Sequence, residues 1–207
     1  MKKRILPIPL ILLIPIVLLV IVTIAGIYRF SLTDEEILAK FPSAQVESDA
    51  VVVSVFGIKA TNPWTIQVPE NNAFAFIDTL DKSQNLASGR YDSGAERGVV
   101  TVDTKMLKRV DIEGQPLFLG PMSVSNQGSG VFHYLALFKF DSSRSRMILA
   151  DSELLGDRVQ IQNIVLENNS RVEVVYLQHG PNQAMSEPPS EEVLLNVGFN
   201  KQQIVEQ

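Results

Sequence analysis

Hydrophobic and polar positions divide this chain into one long apolar run near its start and a series of short apolar segments after it. The run, from Ile5 to Tyr28, contains 24 residues without a charge. As an α-helix it would extend about 36 Å, which exceeds the ~30 Å hydrocarbon core of a bilayer. The pattern therefore predicts a single transmembrane helix over residues 5–28.

A cleaved signal peptide and a buried core helix are the alternatives for this run. The apolar part of a signal peptide has only about 7–15 residues, and Thr23-Ile24-Ala25 is a poor cleavage site. A core helix does not need so long a charge-free run. Lys2, Lys3 and Arg4 precede the run, and basic residues stay on the cytoplasmic side. We therefore expect a cytoplasmic stub (1–4), with the rest of the chain outside, in the periplasm or at the cell exterior.

The segment after the run, residues 29–42, is predicted to hold a short helix and a linker. Thr33 and Glu36 have the spacing of a capping box, and Pro42 would end the helix. This predicts a helix over residues 34–41 and places the start of the globular domain at residue 43.

Beyond residue 43 the apolar segments are short, rich in β-branched residues and often alternating, which is typical of strands. Predicted strands cover residues 50–56, 64–68, 98–103, 131–140, 159–166, 172–177 and 192–199, while 73–77 reads as strand or short helix. Residues 83–98 are predicted to form a mobile loop, which is a candidate boundary between two lobes, and Gly120-Pro121 is predicted to interrupt a strand. Residues 180–190 are predicted to form an irregular loop, and residues 200–207 a fraying tail. The expected fold is an extracytoplasmic β-rich domain over 43–207, all-β or α+β and mainly antiparallel.

The strongest strand pattern is that of residues 131–140. Phe132, Tyr134, Phe138 and Phe140 would share one face, and His133 would lie on the other. A core face is the main interpretation of the four aromatic side chains, and a platform for stacking a ligand is the alternative.

Charge and cysteine content narrow the function classes. Residues 1–29 hold four of the 18 Lys and Arg residues and no Asp or Glu, so the rest of the chain carries a net charge of −9. An acidic surface argues against nucleic acid as a partner. The absence of Cys excludes disulfides, thiol catalysis and a cysteine-linked lipid anchor.

No motif predicts a catalytic, cofactor-binding or metal-binding residue. The two histidines, His133 and His179, lack HxH or HExxH spacing, and there is no GxSxG elbow. Phosphate-binding and dinucleotide-binding glycine motifs are also missing from the sequence. Asp111-Ile112-Glu113-Gly114 is similar only to the start of a calcium loop.

Three segments of the C-terminal half resemble a group of uncharacterised bacterial exported domains, which are often lipoproteins or membrane-anchored. They are Gly128–Ala136, Leu155–Ile161 and Gly180–Asn182 followed by Met185. In that group two cysteines and a proline tend to follow the Met position, where this chain has Ser186-Glu187-Pro188-Pro189. The resemblance covers about residues 98–199. It implies bacterial export and one structural unit, and it implies no reaction.

Two functional hypotheses follow. In the first, the chain is a membrane-anchored binding or structural module of the cell envelope, held in the bilayer by residues 5–28 and contacting another envelope protein. In the second, it is an envelope hydrolase whose site gathers His133, Asp157, Arg158 and His179. The second requires these four side chains to converge. For the segment Leu155–Arg158 alone, a structural corner is the other interpretation, because Gly156 permits a tight turn.

Overall fold

The computed structural model describes residues 10–31 and 48–206 of the 207-residue chain. The chain divides into two compact units, residues 1–47 and residues 48–207. The stub predicted for residues 1–4 and the helix predicted for 34–41 lie outside the described residues. Within 10–31 and 48–206, no helix combines the length and the apolar character that crossing a membrane requires.

The first unit contains helix α1, Leu10–Ser31, which has Pro15 in its interior. Between Ile14 and Ile27 its large apolar side chains are exposed, from 46% for Val17 to 69% for Leu19. The hydroxyl of Thr23 donates a hydrogen bond of 2.8 Å to the carbonyl oxygen of Leu19, so this polar group is satisfied within the helix.

The second unit begins with helix α2, Ala50–Phe56, where the sequence predicts a strand. The strand prediction was wrong because the ends of the segment carry helix signals that outweigh its β-branched residues. Asp49 accepts a hydrogen bond from the Val52 N–H at 2.8 Å, and Gly57 closes the helix in the left-handed conformation. Val51, Val52 and Phe56 are buried, so packing stabilises this short helix.

Thirteen strands follow among the described residues. In chain order they are β1 (Trp64–Gln67), β2 (Phe74–Ile77), β3 (Thr79–Asp81), β4 (Leu86–Asp92), β5 (Arg97–Asp103), β6 (Lys108–Ile112), β7 (Gln115–Ser125), β8 (Val131–Asp141), β9 (Arg146–Asp157), β10 (Gln160–Asn168), β11 (Arg171–Gln178), β12 (Glu191–Phe199) and β13 (Ile204–Glu206). The expectation of a β-rich, mainly antiparallel fold is confirmed.

These strands form two sheets, which we call sheet A and sheet B. Sheet A has the order β2-β1-β9-β8-β7-β5-β4-β3, with β6 pairing the first half of β7. All its pairings are antiparallel except that of β1 with β9. Sheet B is the antiparallel series β10-β11-β12-β13.

Sheet A curls until its two ends meet, so that it nearly closes into a barrel. β2 and β3 follow each other along the chain, and β3 pairs with β4 while the Asp78 N–H donates to the Ser88 carbonyl at 3.2 Å. Gly89 makes this closure possible, because a Cβ at that position would lie only 2.1 Å from the carbonyl oxygen of Phe76.

Two hydrophobic clusters fill the unit. The first lies inside sheet A, where α2 packs with Trp64, Phe118 and Phe138. The second lies between the outer face of sheet A and sheet B, and it includes Leu135 and Leu137. Strands β7 and β8 contribute to both clusters, which explains why their central residues are buried on both faces.

The aromatic face predicted for β8 is confirmed for its core members. Tyr134 and Phe138 are buried in the first cluster and Phe140 packs against it, whereas Phe132 is 38% exposed. His133 lies on the opposite face, as predicted.

Three other sequence predictions were wrong. Residues 83–98 are not a mobile loop, because they contain β4, which pairs with β5 along its whole length. The strand β7 is not broken at Gly120-Pro121. On one side β7 pairs with β6 through Leu119 and with β5 from Met122 onward, so Pro121 falls between the two partners, where no N–H is needed. The tail does not simply fray, since Ile204–Glu206 forms β13 against β12.

Candidate functional site

Three of the four residues of the hydrolase hypothesis lie where loops of the second unit meet. Asp157 ends β9, Arg158 follows it, and His179 follows β11. The fourth, His133, lies near the start of β8, directly opposite Gly156 of β9. These four residues thus lie at the ends of strands β8, β9 and β11, and their side chains make different contacts.

Arg158 binds the backbone of two loops. Its Nε and Nη2 atoms donate to the carbonyl oxygen of Ser129 at 3.0 and 2.6 Å, and Nη2 also reaches the Ser129 hydroxyl at 3.1 Å. Its Nη1 atom donates to the carbonyl oxygen of Met185 at 3.2 Å. Arg158 thus joins the β7–β8 loop to the β11–β12 loop. Residues of the segments Gly128–Ala136 and Leu155–Ile161 and of the loop that holds Met185 therefore meet at this one guanidinium.

Asp157 completes the same corner. Its Oδ1 atom accepts a hydrogen bond of 2.8 Å from the Val131 N–H, and the Arg158 N–H donates to the Val131 carbonyl oxygen at 2.7 Å. The carboxylate lies 3.7 Å from the Arg158 Nε atom. Gly156 has a φ of 142° and Arg158 a φ of 51°, so the chain turns sharply here. These contacts support the interpretation of this segment as a structural corner.

His179 is held within its own loop. Its Nε2 atom is 2.8 Å from the carbonyl oxygen of Glu187, and its Nδ1 atom is buried without a described partner. Gln183 stabilises the same loop, accepting hydrogen bonds from the Gly180 N–H and the Ser190 hydroxyl at 3.2 and 3.1 Å. Asp157, Arg158 and His179 are therefore each occupied by separate backbone contacts.

His133 differs from these three residues because its side chain faces a cavity. The cavity has a volume of about 260 Å³ and lies on the outer face of sheet A, beside the first residues of β10. The strand register places Thr101 of β5, Ser123 of β7 and His133 of β8 side by side in one row, which Gly156 of β9 continues. Within the part of the chain that the structure describes, the side chains of Thr101, Ser123 and His133 form no hydrogen bond.

The cavity walls are mainly apolar, and the charge at its edge is negative. Leu86, Met106, Pro121, Met122, Val159 and Ile161 line it together with Gln160 and Asp103. Asp103 uses its Oδ1 atom to accept the Lys105 N–H at 2.9 Å. Burial lowers the pKa of His133 below its ordinary value of 6.5, and the Asp157 carboxylate opposes this shift only in part. The imidazole is therefore neutral at pH 7.

Sequence reasoning missed Thr101, Ser123 and Asp103 as members of a common surface. They lie on strands separated by a further hairpin, β6 with the first half of β7, so only the register of β5 on β7 brings them to His133. The alternation in residues 98–103 does place Thr101 and Asp103 on one face, but it gives no partner strand.

Residues 48–206 and 10–31 contain no group of three or more His, Asp or Glu side chains that could hold a metal ion. Asp111 and Glu113, from the segment similar to the start of a calcium loop, form exposed ion pairs with Arg109 at 3.3 Å and Lys201 at 2.6 Å. Their carboxylates therefore stabilise the hairpin and the turn before β13.

No protein family model, curated protein or solved structure matches this chain.

Proposed function

We propose that the chain is a single-pass, membrane-anchored module of a bacterial cell envelope. Residues 1–4 face the cytoplasm, residues 5–28 cross the bilayer, and the β-rich unit lies outside, where it contacts another envelope component. The proposal agrees with the resemblance to bacterial exported domains.

The observation that supports the proposal is the apolar surface of α1. Apart from Thr23, the side chains from Ile14 to Ile27 are apolar, and the large ones are exposed; lipid is a surrounding that suits such a surface. The charge-free run starts at Ile5, before the first described residue of α1. Lys2, Lys3 and Arg4 supply the charge asymmetry that sets the orientation.

A pair of exposed aromatic side chains supports the contact with another component. Phe74 and Phe76 of β2 are 51% and 52% exposed, while Ala75 between them is fully buried. Both rings therefore lie on the outer face of the barrel. Large exposed aromatic side chains are enriched at protein interfaces, where they provide much of the binding energy.

The topology is tested with reporter fusions after Gln207 of the full chain, expressed in a bacterium. Alkaline phosphatase, which is active only after export, should be active, and β-galactosidase, which is active only in the cytoplasm, should be inactive. Replacing Lys2, Lys3 and Arg4 by Gln should lower the phosphatase activity. A matched variant with Lys59, Lys82 and Lys105 replaced by Gln should retain it, since these positions lie in the β-rich unit.

Two results would overturn the membrane proposal. An active β-galactosidase fusion would reverse the orientation. A mature protein that begins near Gly26 and is released by a salt wash would show a cleaved signal peptide.

The contact with an envelope component is tested by crosslinking in intact cells. The wild type should give a specific adduct, which the double variant Phe74→Ser, Phe76→Ser should lose. The double variant Val165→Ser, Leu194→Ser, at exposed positions of sheet B, is the control and should keep it. An adduct that persists in the Phe74/Phe76 variant would show that this surface is not the interface.

A further inference from the structure

The cavity beside His133 lies on the part of the outer face of sheet A that sheet B leaves uncovered. Sheet B covers the outer face of β7 and β8 at Leu117, Leu119, Leu135 and Leu137. Further along the same two strands, the next outward-facing positions are Pro121, Ser123 and His133, and they are left open to the cavity. The first residues of β10 form its rim. A concave, partly apolar surface with a few convergent polar groups is typical of a small-molecule site.

The polar groups of the cavity are available to a ligand. The hydroxyls of Thr101 and Ser123 and the imidazole of His133 lie in one row across three strands, and no described residue satisfies them. A ligand that enters here can exchange hydrogen bonds with all three without breaking an existing bond.

The negative charge at the edge of the cavity favours a positively charged ligand. Asp103 is the only fully charged side chain among the described residues that line it, and no Lys or Arg side chain does so. The Asp103 Oδ2 atom makes no hydrogen bond to a described residue, since the Lys105 N–H binds Oδ1. The Asp157 carboxylate near His133 is paired with Arg158 at 3.7 Å, so Asp103 supplies the uncompensated charge. Outside residues 1–29 the chain carries a net charge of −9, which strengthens the negative potential at the cavity.

We propose that this cavity binds a small organic cation, namely an ammonium group on a short hydrocarbon chain. The ammonium group pairs with Asp103, and the hydrocarbon packs on Met106, Pro121 and Ile161. The volume of about 260 Å³ has room for an ammonium group on a short hydrocarbon chain. This site does not depend on the membrane topology proposed above.

Three probes of similar size and different charge test the proposal: n-butylammonium, 1-butanol and butyrate. They are titrated into the full chain in a neutral detergent, with the methyl groups of methionine labelled with ¹³C. The chain has five methionines, and their positions make internal controls. Met106 lines the cavity, Met147 is buried inside sheet A, and Met185 lies in the β11–β12 loop.

Butylammonium should shift the Met106 signal and leave those of Met147 and Met185 in place. Its affinity should exceed that of 1-butanol by about two- to fivefold, the ratio expected from one partly exposed ammonium–carboxylate pair. Equal affinities for the three probes, a preference for butyrate, or no shift at Met106 would each overturn the proposal.

A matched pair of variants assigns the effect to one carboxylate. Asp103→Asn keeps an oxygen for the Lys105 N–H and should remove the preference for butylammonium. Asp111→Asn removes the same charge from an exposed ion pair on β6 and should leave the preference unchanged. Fluorescence of the single tryptophan, Trp64, verifies that both variants are folded. If folded Asp103→Asn still prefers butylammonium, the cavity does not use this carboxylate and the proposal fails.

Discussion

Arg158 donates two hydrogen bonds to one carbonyl oxygen, that of Ser129, at 3.0 and 2.6 Å. A third nitrogen of the same guanidinium reaches the Met185 carbonyl, so one side chain ties two loops that lie 56 positions apart in the sequence. An ammonium group cannot reproduce this planar fork. Arg158 is thus a structural clamp between the β7–β8 loop and the β11–β12 loop.

The first prediction follows from this clamp. Arg158→Lys should lower the free energy of unfolding by about 1–3 kcal/mol, because hydrogen bonds from a charged donor to the backbone are lost while the positive φ is unchanged. Protease cleavage within residues 180–190 should also accelerate. The control Arg109→Lys, in an exposed ion pair, should change stability by less than about 0.5 kcal/mol. Equal effects of the two variants on both readouts would refute the clamp.

The second prediction concerns the closure of sheet A. Gly89→Ala should destabilise the protein by about 1–3 kcal/mol or more, because the new methyl group would lie 2.1 Å from the Phe76 carbonyl oxygen. The backbone of Phe76 can move away from it only at a high cost in free energy. Gly180→Ala is the control, since its methyl group would meet only Glu191 at 3.8 Å. Urea unfolding, followed by the fluorescence of buried Trp64, measures both variants. A stable Gly89→Ala variant would mean that β2 and β4 are not this close.

The third prediction concerns the helix that the sequence pattern did not predict. Asp49→Ala should cost about 1 kcal/mol, because the Val52 N–H loses its cap. Asp49→Ser should recover most of the loss, since a serine oxygen can accept the same hydrogen bond. Equal losses in the Ala and Ser variants would show that the cap does not stabilise α2. The measurement is again urea unfolding detected at Trp64, which contacts Phe56 of α2.

Several strands, among them β8, β10 and β11, were predictable because their sequences carry the two-residue alternation of a half-buried sheet. The paired strands β10 and β11 and the loop before Glu191 follow directly from such local patterns. The segment Ala50–Phe56 was not predicted correctly, because its β-branched residues favour a strand and only the flanking Asp49 and Gly57 indicate a helix. The strand preference of the β-branched residues is overridden here because packing in the core stabilises the helix.

The candidate site was much less predictable than the fold. His133 could be placed on the face opposite the aromatic residues, because alternation fixes faces within one strand. Its neighbours could not be named, since Thr101 reaches it only through two successive strand pairings. The hydrolase hypothesis grouped His133 with Asp157, Arg158 and His179 by their closeness in sequence to the resembling segments. The hydrogen bonds of the last three residues go to backbone atoms, which sequence patterns do not reveal.

The last prediction uses the protonation of His133. Burial lowers the pKa of His133 in the folded protein, so the unfolded chain takes up the proton at a higher pH than the folded chain does. As the pH falls through about 6.5, the unfolded state therefore gains protons first, and the free energy of unfolding declines. The loss should begin as the pH falls below about 7.5 and continue as the pH falls further.

His133→Gln isolates this contribution, because it keeps a polar side chain at the cavity and removes the titration. As the pH falls, the free energy of unfolding should decrease more for the wild type than for the variant. Asp157 and Asp103 are the carboxylates near the imidazole, and both are present in the two proteins, so their effects largely cancel in the difference. A difference that is constant over this range, or that favours the wild type at low pH, would contradict a buried, neutral His133.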